Sequence, residues 1–283
     1  MKGVALRPVL RDSAEPGLDA VAVEEPLEIR VDGEAIATTM RTPGADADLA
    51  LGFLLAEGIL RGAADVGTVT WCGRPGEEGY GNVIDVRSAA GIRLDPDRIL
   101  DGARFQPIGS ACGVCGRRSI DDLVARAGRV VAPTRVTTET VVGAVNAIRG
   151  RQPIFSATGG LHAALLVSSS GEVLASAEDV GRHNAVDKAI GALLRRGLVG
   201  ASASPEAGPS VLAVSSRAGF EIVQKAAAAG VPVVASVSAP TSLAVDLAES
   251  TGIALCGFVR GGRCNVYANG WRLGLSAPSP QAG

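Results

Sequence analysis

Aromatic residues are scarce in this chain of 283 residues: they account for 3% of it, whereas hydrophobic residues as a whole account for 47%. The core must therefore be built mainly from alanine, valine, leucine and isoleucine. The chain also lacks a lysine-rich block, and its formal net charge is −2. A general attraction to nucleic acid or to an anionic membrane is therefore not indicated.

No apolar run is long enough to cross a bilayer, since the longest obvious one, Leu49 to Ala56, is far shorter than a spanning helix. The stretch from Met1 to Arg11 has neither an uninterrupted apolar core nor a small-residue cleavage site, so we expect no signal peptide. These features favour a cytoplasmic protein. In a reducing cytosol, five unevenly spaced cysteines are not expected to form a disulfide framework.

The two histidines do not lie in the motif of a zinc deaminase. That motif requires H-x-E followed by P-C-x-x-C, with the glutamate as proton shuttle. Neither His162 nor His183 is followed by this glutamate, and the C-x-x-C of the chain precedes both of them. The sequence therefore argues against hydrolytic deamination. The Walker spacing and the G-x-S-x-G nucleophile elbow are absent as well.

A glycine-rich stretch carries two of the five cysteines, Cys112 and Cys115. Small neighbours leave their sulfurs uncovered, and a helix is predicted to begin just after them, over residues 120–127. The helix dipole and the charges of Arg117 and Arg118 favour thiolate over thiol, although two aspartates follow. The pattern therefore favours reactive sulfur chemistry.

Two other interpretations of this cysteine pair remain open. It could be half of a zinc site, which would require two further ligands, or a pair of inert core residues. The remaining cysteines, Cys72, Cys256 and Cys264, lie in apolar strand patterns, so we expect them in the core.

A dense polar run, Glu178 to Lys188, lies where a predicted strand meets a helix. Ligands gather at the carboxyl ends of strands in α/β sheets, so the run could line a binding site. It could equally be a capping network, in which Asp179 caps the helix and His183 satisfies a buried partner. The sequence leaves both possibilities open.

A second polar segment lies between two predicted C-terminal strands and consists of Phe258, Val259, Arg260, Gly261, Gly262 and Arg263. Its glycines can expose backbone N–H groups, and its arginines can bind phosphate oxygens in pairs. The alternative is an ordinary hairpin turn with solvated arginines. Phe258 could stack on a base or belong to the core.

The order of the predicted elements indicates an α/β protein. A β-hairpin turning at Asp32-Gly33 and a helix over 47–60 follow a lead-in, residues 1–20, that we expect to be poorly ordered. From residue 161 onward, apolar strands alternate with helices, which is typical of a largely parallel sheet covered on both faces. We therefore expect an N-terminal α+β portion over 1–130, ending in the C-x-x-C loop, and an α/β domain over 131–283.

Six stretches together resemble the formate dehydrogenase accessory sulfurtransferase family, FdhD. They span most of the chain in order and lie at Thr42 to Ile59, Cys112 to Gly116, Thr158 to Ala164, Glu178 to Lys188, Ser215 to Lys225 and Gly257 to Arg263. The resemblance implies a cytidine-deaminase-like α/β fold, a three-layer sheet domain in which the zinc site is missing.

The resemblance also implies a function. Sulfur would be taken as a persulfide from a cysteine desulfurase and handed to the molybdenum cofactor, Mo-bis(molybdopterin guanine dinucleotide), for formate dehydrogenase. Cys112 would carry the persulfide, Cys115 would assist or resolve it, and Phe258 to Arg263 would bind the cofactor. No metal would be held by protein side chains.

Two alternatives from other classes stay open, namely a non-enzymatic chaperone for the molybdenum cofactor and a thiol-disulfide oxidoreductase. Whether the protein leaves a desulfurase reaction carrying an extra sulfur atom separates them from a sulfurtransferase. We also expect a homodimer.

Overall fold

The computed structural model describes residues 2–10, 12, 16–74, 76, 80–95, 128–132 and 135–275. Cys112, Cys115 and the helix predicted over 120–127 lie outside these residues. Among them, the chain forms a small four-stranded sheet, a six-stranded sheet and a two-stranded ribbon.

The four-stranded sheet is built from the N-terminal part of the chain. Its strands are β3 (Glu25–Val31), β4 (Glu34–Arg41), β5 (Val66–Trp71) and β6 (Val83–Ser88), in the order β4-β3-β6-β5. The hairpin of β3 and β4 is confirmed. Asp32 and Gly33 both have positive φ, 50° and 92°, as a tight two-residue turn between antiparallel strands requires.

The expectation of a poorly ordered lead-in is wrong. β1 (Val4–Leu10) and β2 (Pro16–Ala22) form an antiparallel ribbon. Its leucines are exposed, so the ribbon has no buried face and no apolar alternation to reveal it. Backbone pairing, and contact with a short helix that the sequence did not predict, α3 (Pro153–Thr158), hold it instead.

The six-stranded sheet has the order β12-β11-β10-β9-β7-β8. Its strands are β7 (His162–Val167), β8 (Val173–Asp179), β9 (Val211–Val214), β10 (Val233–Ser236), β11 (Ala254–Arg260) and β12 (Arg263–Ala268). Only β9, β10 and β11 are mutually parallel neighbours, and the other pairings are antiparallel. The sheet is therefore mixed rather than largely parallel, because turns of a few residues join β7 to β8 and β11 to β12.

Helices cover both faces of this sheet. α2 (Thr138–Ile148), capped by the Thr137 hydroxyl, packs on one face. α4 (Arg182–Arg195), α5 (Phe220–Ala228) and α6 (Ser242–Thr251) pack on the other. The predicted α/β class, with a helix layer on each side of the sheet, is confirmed.

α1 (Asp46–Ala56) connects the two sheets. It packs on α4, and its buried side chains belong to the same hydrophobic cluster as buried residues of β3 and β6. It ends four residues before the predicted end at residue 60, where Gly58 turns the chain with a φ of 74°. The predicted division of the chain at residue 130 stays a prediction.

Candidate functional site

Four strands of the six-stranded sheet end at one edge. β8, β9, β10 and β11 run in the same direction, so their carboxyl ends lie side by side. The helices α4, α5 and α6 begin at this edge, and none has a side-chain hydrogen bond at its N-cap. The positive ends of three helix dipoles, with first-turn N–H groups that no N-cap side chain satisfies, therefore face this edge, which we call the carboxyl edge.

The segment 258–263 crosses the carboxyl edge as the turn from β11 to β12. Arg260 lies opposite Arg263 in the strand register, and Gly261 and Gly262 between them have φ of 57° and 78°. Both arginines are exposed, and neither side chain makes a hydrogen bond or an ion pair with a described residue. Two guanidinium groups that no described side chain neutralises therefore flank an exposed turn, which is an arrangement suited to an anion.

Phe258 is held in a backbone conformation that exposes its ring. Its φ is 52°, in the left-handed region that bulky side chains avoid, and 38% of the residue is exposed. Its N–H donates to the carbonyl of Ser238 at 3.1 Å. The strand register is interrupted by a bulge between Gly257 and Arg260, and within this bulge Val259 turns into the core. Phe258 is thus not a core residue, whereas Val259 is.

The polar run 178–188 is largely a structural network. The Asp179 carboxylate is fully buried and accepts hydrogen bonds from the backbone N–H groups of Thr42, at 3.1 Å, and Gly181, at 2.8 Å. Asn184 Nδ2 also donates to it at 3.1 Å, and Lys188 Nζ lies 2.6 Å away. These four donors join Asp179 to β4, β8 and α4, so its carboxylate belongs to a structural network and does not cap a helix N–H group.

Further pairs join α4 to α5. His183 Nε2 contacts the Glu221 carboxylate, and Lys225 Nζ donates to both oxygens of Asp187 at 2.7 and 2.8 Å. Burial raises the pKa of Asp187 to about 6, and the Lys225 charge opposes this rise. His183 and Asp187 therefore hold the two helices together, in agreement with the interpretation that His183 satisfies a buried partner.

Other polar side chains near the carboxyl edge are not committed in this way. His162 begins β7 half-buried, and burial, followed by the charges of Arg182 and His183, lowers its pKa. Its imidazole is therefore neutral at pH 7. Arg182 is half-exposed and Arg217, after β9, is exposed, and neither pairs with a described residue.

Arg217 was missed as a candidate by sequence reasoning, although it lies three residues after the end of the apolar strand β9 at the same sheet edge. With Arg260 and Arg263 near β11 and Arg182 near β8, cations are spread along the edge over four strand spacings, roughly 19 Å. This length exceeds what a single phosphate needs.

The three cysteines that the structure describes differ in burial. Cys256 is buried as expected, whereas Cys72 and Cys264 are only half-buried. Within the described ranges, no three histidine, cysteine or acidic side chains are arranged to hold a metal ion. No helix in the same part of the chain has the length and apolar character to span a bilayer.

Comparison with known proteins connects this geometry to a family. A model of the FdhD/NarQ family matches residues 22–274. The chain belongs to the FdhD/NarQ family. The resemblance noted from the sequence motifs is thereby confirmed.

Curated FdhD/NarQ relatives align along nearly the whole chain. The sulfur carrier protein FdhD of Anaeromyxobacter dehalogenans is 66% identical over 275 residues, which is 97% of this chain and 95% of that protein. The proteins of the same name from Streptomyces coelicolor and Mycobacterium tuberculosis are each 46% identical, and the alignments cover at least 90% of each chain.

A solved structure shares the FdhD/NarQ fold seen here. It is a crystal structure of a protein from Desulfotalea psychrophila assigned as a formate dehydrogenase accessory protein. The TM-score is 0.71 at 22% identity, over 95% of this chain and 98% of that one. At this identity the likeness shows a common fold.

Proposed function

We propose that this chain is a sulfur carrier that accepts persulfide sulfur from a cysteine desulfurase on Cys112 and delivers it to Mo-bis(molybdopterin guanine dinucleotide) for formate dehydrogenase. The names of its relatives support the carrier role. The observation that carries the cofactor part is the pair Arg260 and Arg263, unpaired with any described residue on an exposed diglycine turn.

The loading step requires a thiolate on this chain. The Cys112 thiolate attacks the outer sulfur of the desulfurase persulfide and forms a new S–S bond, while the old S–S bond breaks and the desulfurase cysteine leaves as a thiolate. Cys115 is proposed to assist or resolve the persulfide. In delivery, the Cys115 thiolate would attack Cys112 Sγ and form a Cys112–Cys115 disulfide. The S–S bond of the persulfide breaks, and the outer sulfur leaves as hydrosulfide for the molybdenum cofactor, which is the substrate of the carrier.

Cofactor binding is proposed at the carboxyl edge. Arg260 and Arg263 would each contact phosphate oxygens through two N–H groups, and Gly261 and Gly262 let the backbone approach closely. The Phe258 ring is exposed beside them and would stack on guanine. Arg217 and Arg182 continue the positive charge toward β8, in keeping with a cofactor that has two guanine dinucleotide arms.

The loading step is tested by incubating the protein with a cysteine desulfurase and cysteine, followed by peptide mass spectrometry. We expect the added sulfur on Cys112 and none in a Cys112→Ala variant. If the protein leaves the reaction without added sulfur but still binds the cofactor, it is a cofactor chaperone. A Cys115→Ser variant cannot resolve a persulfide, so if it also gains no sulfur while the wild type forms only a Cys112–Cys115 disulfide, the protein is a thiol-disulfide oxidoreductase.

The cofactor site is tested by calorimetric titration with GDP, which stands in for half of the guanine dinucleotide. Arg263→Ala should weaken binding by ~1.5–3 kcal/mol, roughly ten- to a hundredfold, and lysine should restore only part of the loss. Arg196→Ala is the matched control, because Arg196 is exposed at the far end of α4. Unchanged GDP affinity in both Arg260→Ala and Arg263→Ala would show that the segment 258–263 is a turn without a binding role.

The proposal extends to a homodimer in the cytoplasm. Light scattering of the purified chain tests the dimer.

A further inference from the structure

A second pair of cysteines flanks the candidate cofactor segment. Cys256 lies in β11 and Cys264 in β12, and both side chains pack toward the face covered by α2. Between them the strand register shifts, from Gly257 opposite Asn265 to Arg260 opposite Arg263. Cys256 lies opposite Val266, two residues after Cys264, so the two thiols are diagonal neighbours on this face, within reach of a hydrogen bond between them. They therefore form a dithiol at the base of the turn that carries Arg260 and Arg263.

The two thiols are not equivalent. Cys256 is buried, whereas Cys264 is half-buried and borders the exposed turn. The hydrogen bond from Cys256 lowers the pKa of Cys264 to about 7, against the opposing effect of burial. The same hydrogen bond, followed by burial, raises the pKa of Cys256. Because burial disfavours a charge on Cys256, Cys256 is the donor, and the less buried Cys264 is the thiolate and the nucleophile of the pair.

We propose that Cys264 is a second acceptor of sulfane sulfur on this chain and that Cys256 positions its thiolate by donating a hydrogen bond. The donor is a persulfide of a small thiol or of a protein cysteine. The Cys264 thiolate attacks the outer sulfur and forms a new S–S bond. The S–S bond of the donor breaks, and its inner sulfur leaves as a thiolate that water protonates.

Cys264 lies beside the segment proposed to bind the cofactor. It directly follows Arg263, so a persulfide there would lie one residue from a proposed phosphate contact. The site goes beyond the function proposed above, which loads sulfur on Cys112. Its reactivity is measurable in a chain that lacks Cys112 and Cys115, so the two proposals stand or fall separately.

The acceptor is tested on the full-length Cys112→Ser/Cys115→Ser protein treated with glutathione persulfide at pH 7. Peptide mass spectrometry should find a gain of about 32 Da, one persulfide sulfur, on Cys264. Cys72 is the matched control, because it is also half-buried and has no second thiol beside it among the described residues. No gain on Cys264, or equal gains on Cys72 and Cys264, would overturn the assignment.

The positioning role of Cys256 is tested by the pH dependence of the same reaction. In Cys256→Ala, the midpoint of the rate profile should move from about 7 to 9.0 or above, because the hydrogen bond is lost. The thiolate fraction at pH 7 then falls roughly fiftyfold and its nucleophilicity rises, so the rate should fall roughly fivefold. Cys256→Ser keeps a donor and should restore the profile. An unmoved midpoint in a folded Cys256→Ala protein would exclude this role.

Discussion

Gly52 of α1 lies directly against the backbone of Asp187 in α4: a β-carbon added at Gly52 would come within 1.9 Å of the Asp187 carbonyl oxygen. The contact is reciprocal, since a β-carbon at Gly191 of α4 would come within 1.9 Å of the Asp48 carbonyl oxygen. Neither glycine has a positive φ, so close helix packing rather than backbone conformation requires them. This crossing connects the four-stranded sheet to the six-stranded sheet.

We therefore expect Gly52→Ala to be strongly destabilising. The obstacle is backbone and cannot rotate away, so the cost should reach or exceed the ~1–3 kcal/mol typical of overpacking. Gly143→Ala is the matched control, because Gly143 lies inside α2 with no atom near its missing β-carbon. That variant should gain up to about 1 kcal/mol of stability. Urea denaturation of both variants measures the difference, and equal stabilities would refute the close crossing.

The buried pair Asp187 and Lys225 should make stability depend on pH. The pKa of Asp187 is about 6 in the folded protein, against roughly 3.9 in an unfolded chain. Between these values the folded state holds a proton that the unfolded state releases, so this contribution to stability falls as pH rises through 6. Compared with Asp187→Asn, the wild type should lose about 2 kcal/mol of unfolding free energy from pH 4.5 to 6.5. A constant difference between the two proteins would contradict the raised pKa.

Loss of Lys188 should be costly, because its removal leaves the Asp179 carboxylate buried with an uncompensated charge. Lys188→Met is expected to lower the unfolding free energy by ~3–5 kcal/mol. Arg195→Met, in the same helix, breaks the exposed ion pair with Asp48 and should cost less than about 1 kcal/mol. Similar losses in the two variants would show that burial does not govern the Asp179 pair.

Substitution of Phe258 should lower ligand affinity while leaving the free energy of unfolding nearly unchanged. Its left-handed backbone suits glycine, so Phe258→Gly should change the unfolding free energy by no more than about 1 kcal/mol. Stacking on a base contributes ~1–3 kcal/mol, so GDP affinity should fall by roughly five- to a hundredfold. Trp71→Ala, which removes another exposed aromatic ring, is the control and should leave affinity unchanged. A large loss of stability in Phe258→Gly would instead assign the ring to packing.

Features encoded by neighbouring residues were predictable from the sequence. The hairpin at Asp32-Gly33 and the helix capped by Thr137 each follow from a few adjacent side chains, and both are present. The mixed sheet also has a local sequence signal, because a turn as short as Gly261-Gly262 can join only antiparallel strands. The apolar strands themselves do not carry this signal, since buried strands of parallel and mixed sheets are equally apolar, and the expectation of a largely parallel sheet rested on them.

Features that depend on distant parts of the chain were not predictable. Asp179 is satisfied in part by Thr42, which lies 137 residues earlier, so the sequence could not decide between a ligand site and a structural network. Likewise, the approach of Cys256 and Cys264 depends on the pairing register of β11 and β12, which shifts in a way that the alternation of apolar residues does not show. The exposure of Phe258 depends on the same bulge.

The crossing of α1 and α4 has a consequence for how the protein folds during synthesis. α1 is made from residues 46–56 and α4 from residues 182–195, so well over a hundred residues are translated between them. Until α4 leaves the ribosome, the apolar side chains of α1 have no second helix to cover them. Contacts between such distant segments slow folding and prolong exposure to aggregation. We therefore expect the nascent chain to depend on chaperones until α4 has emerged.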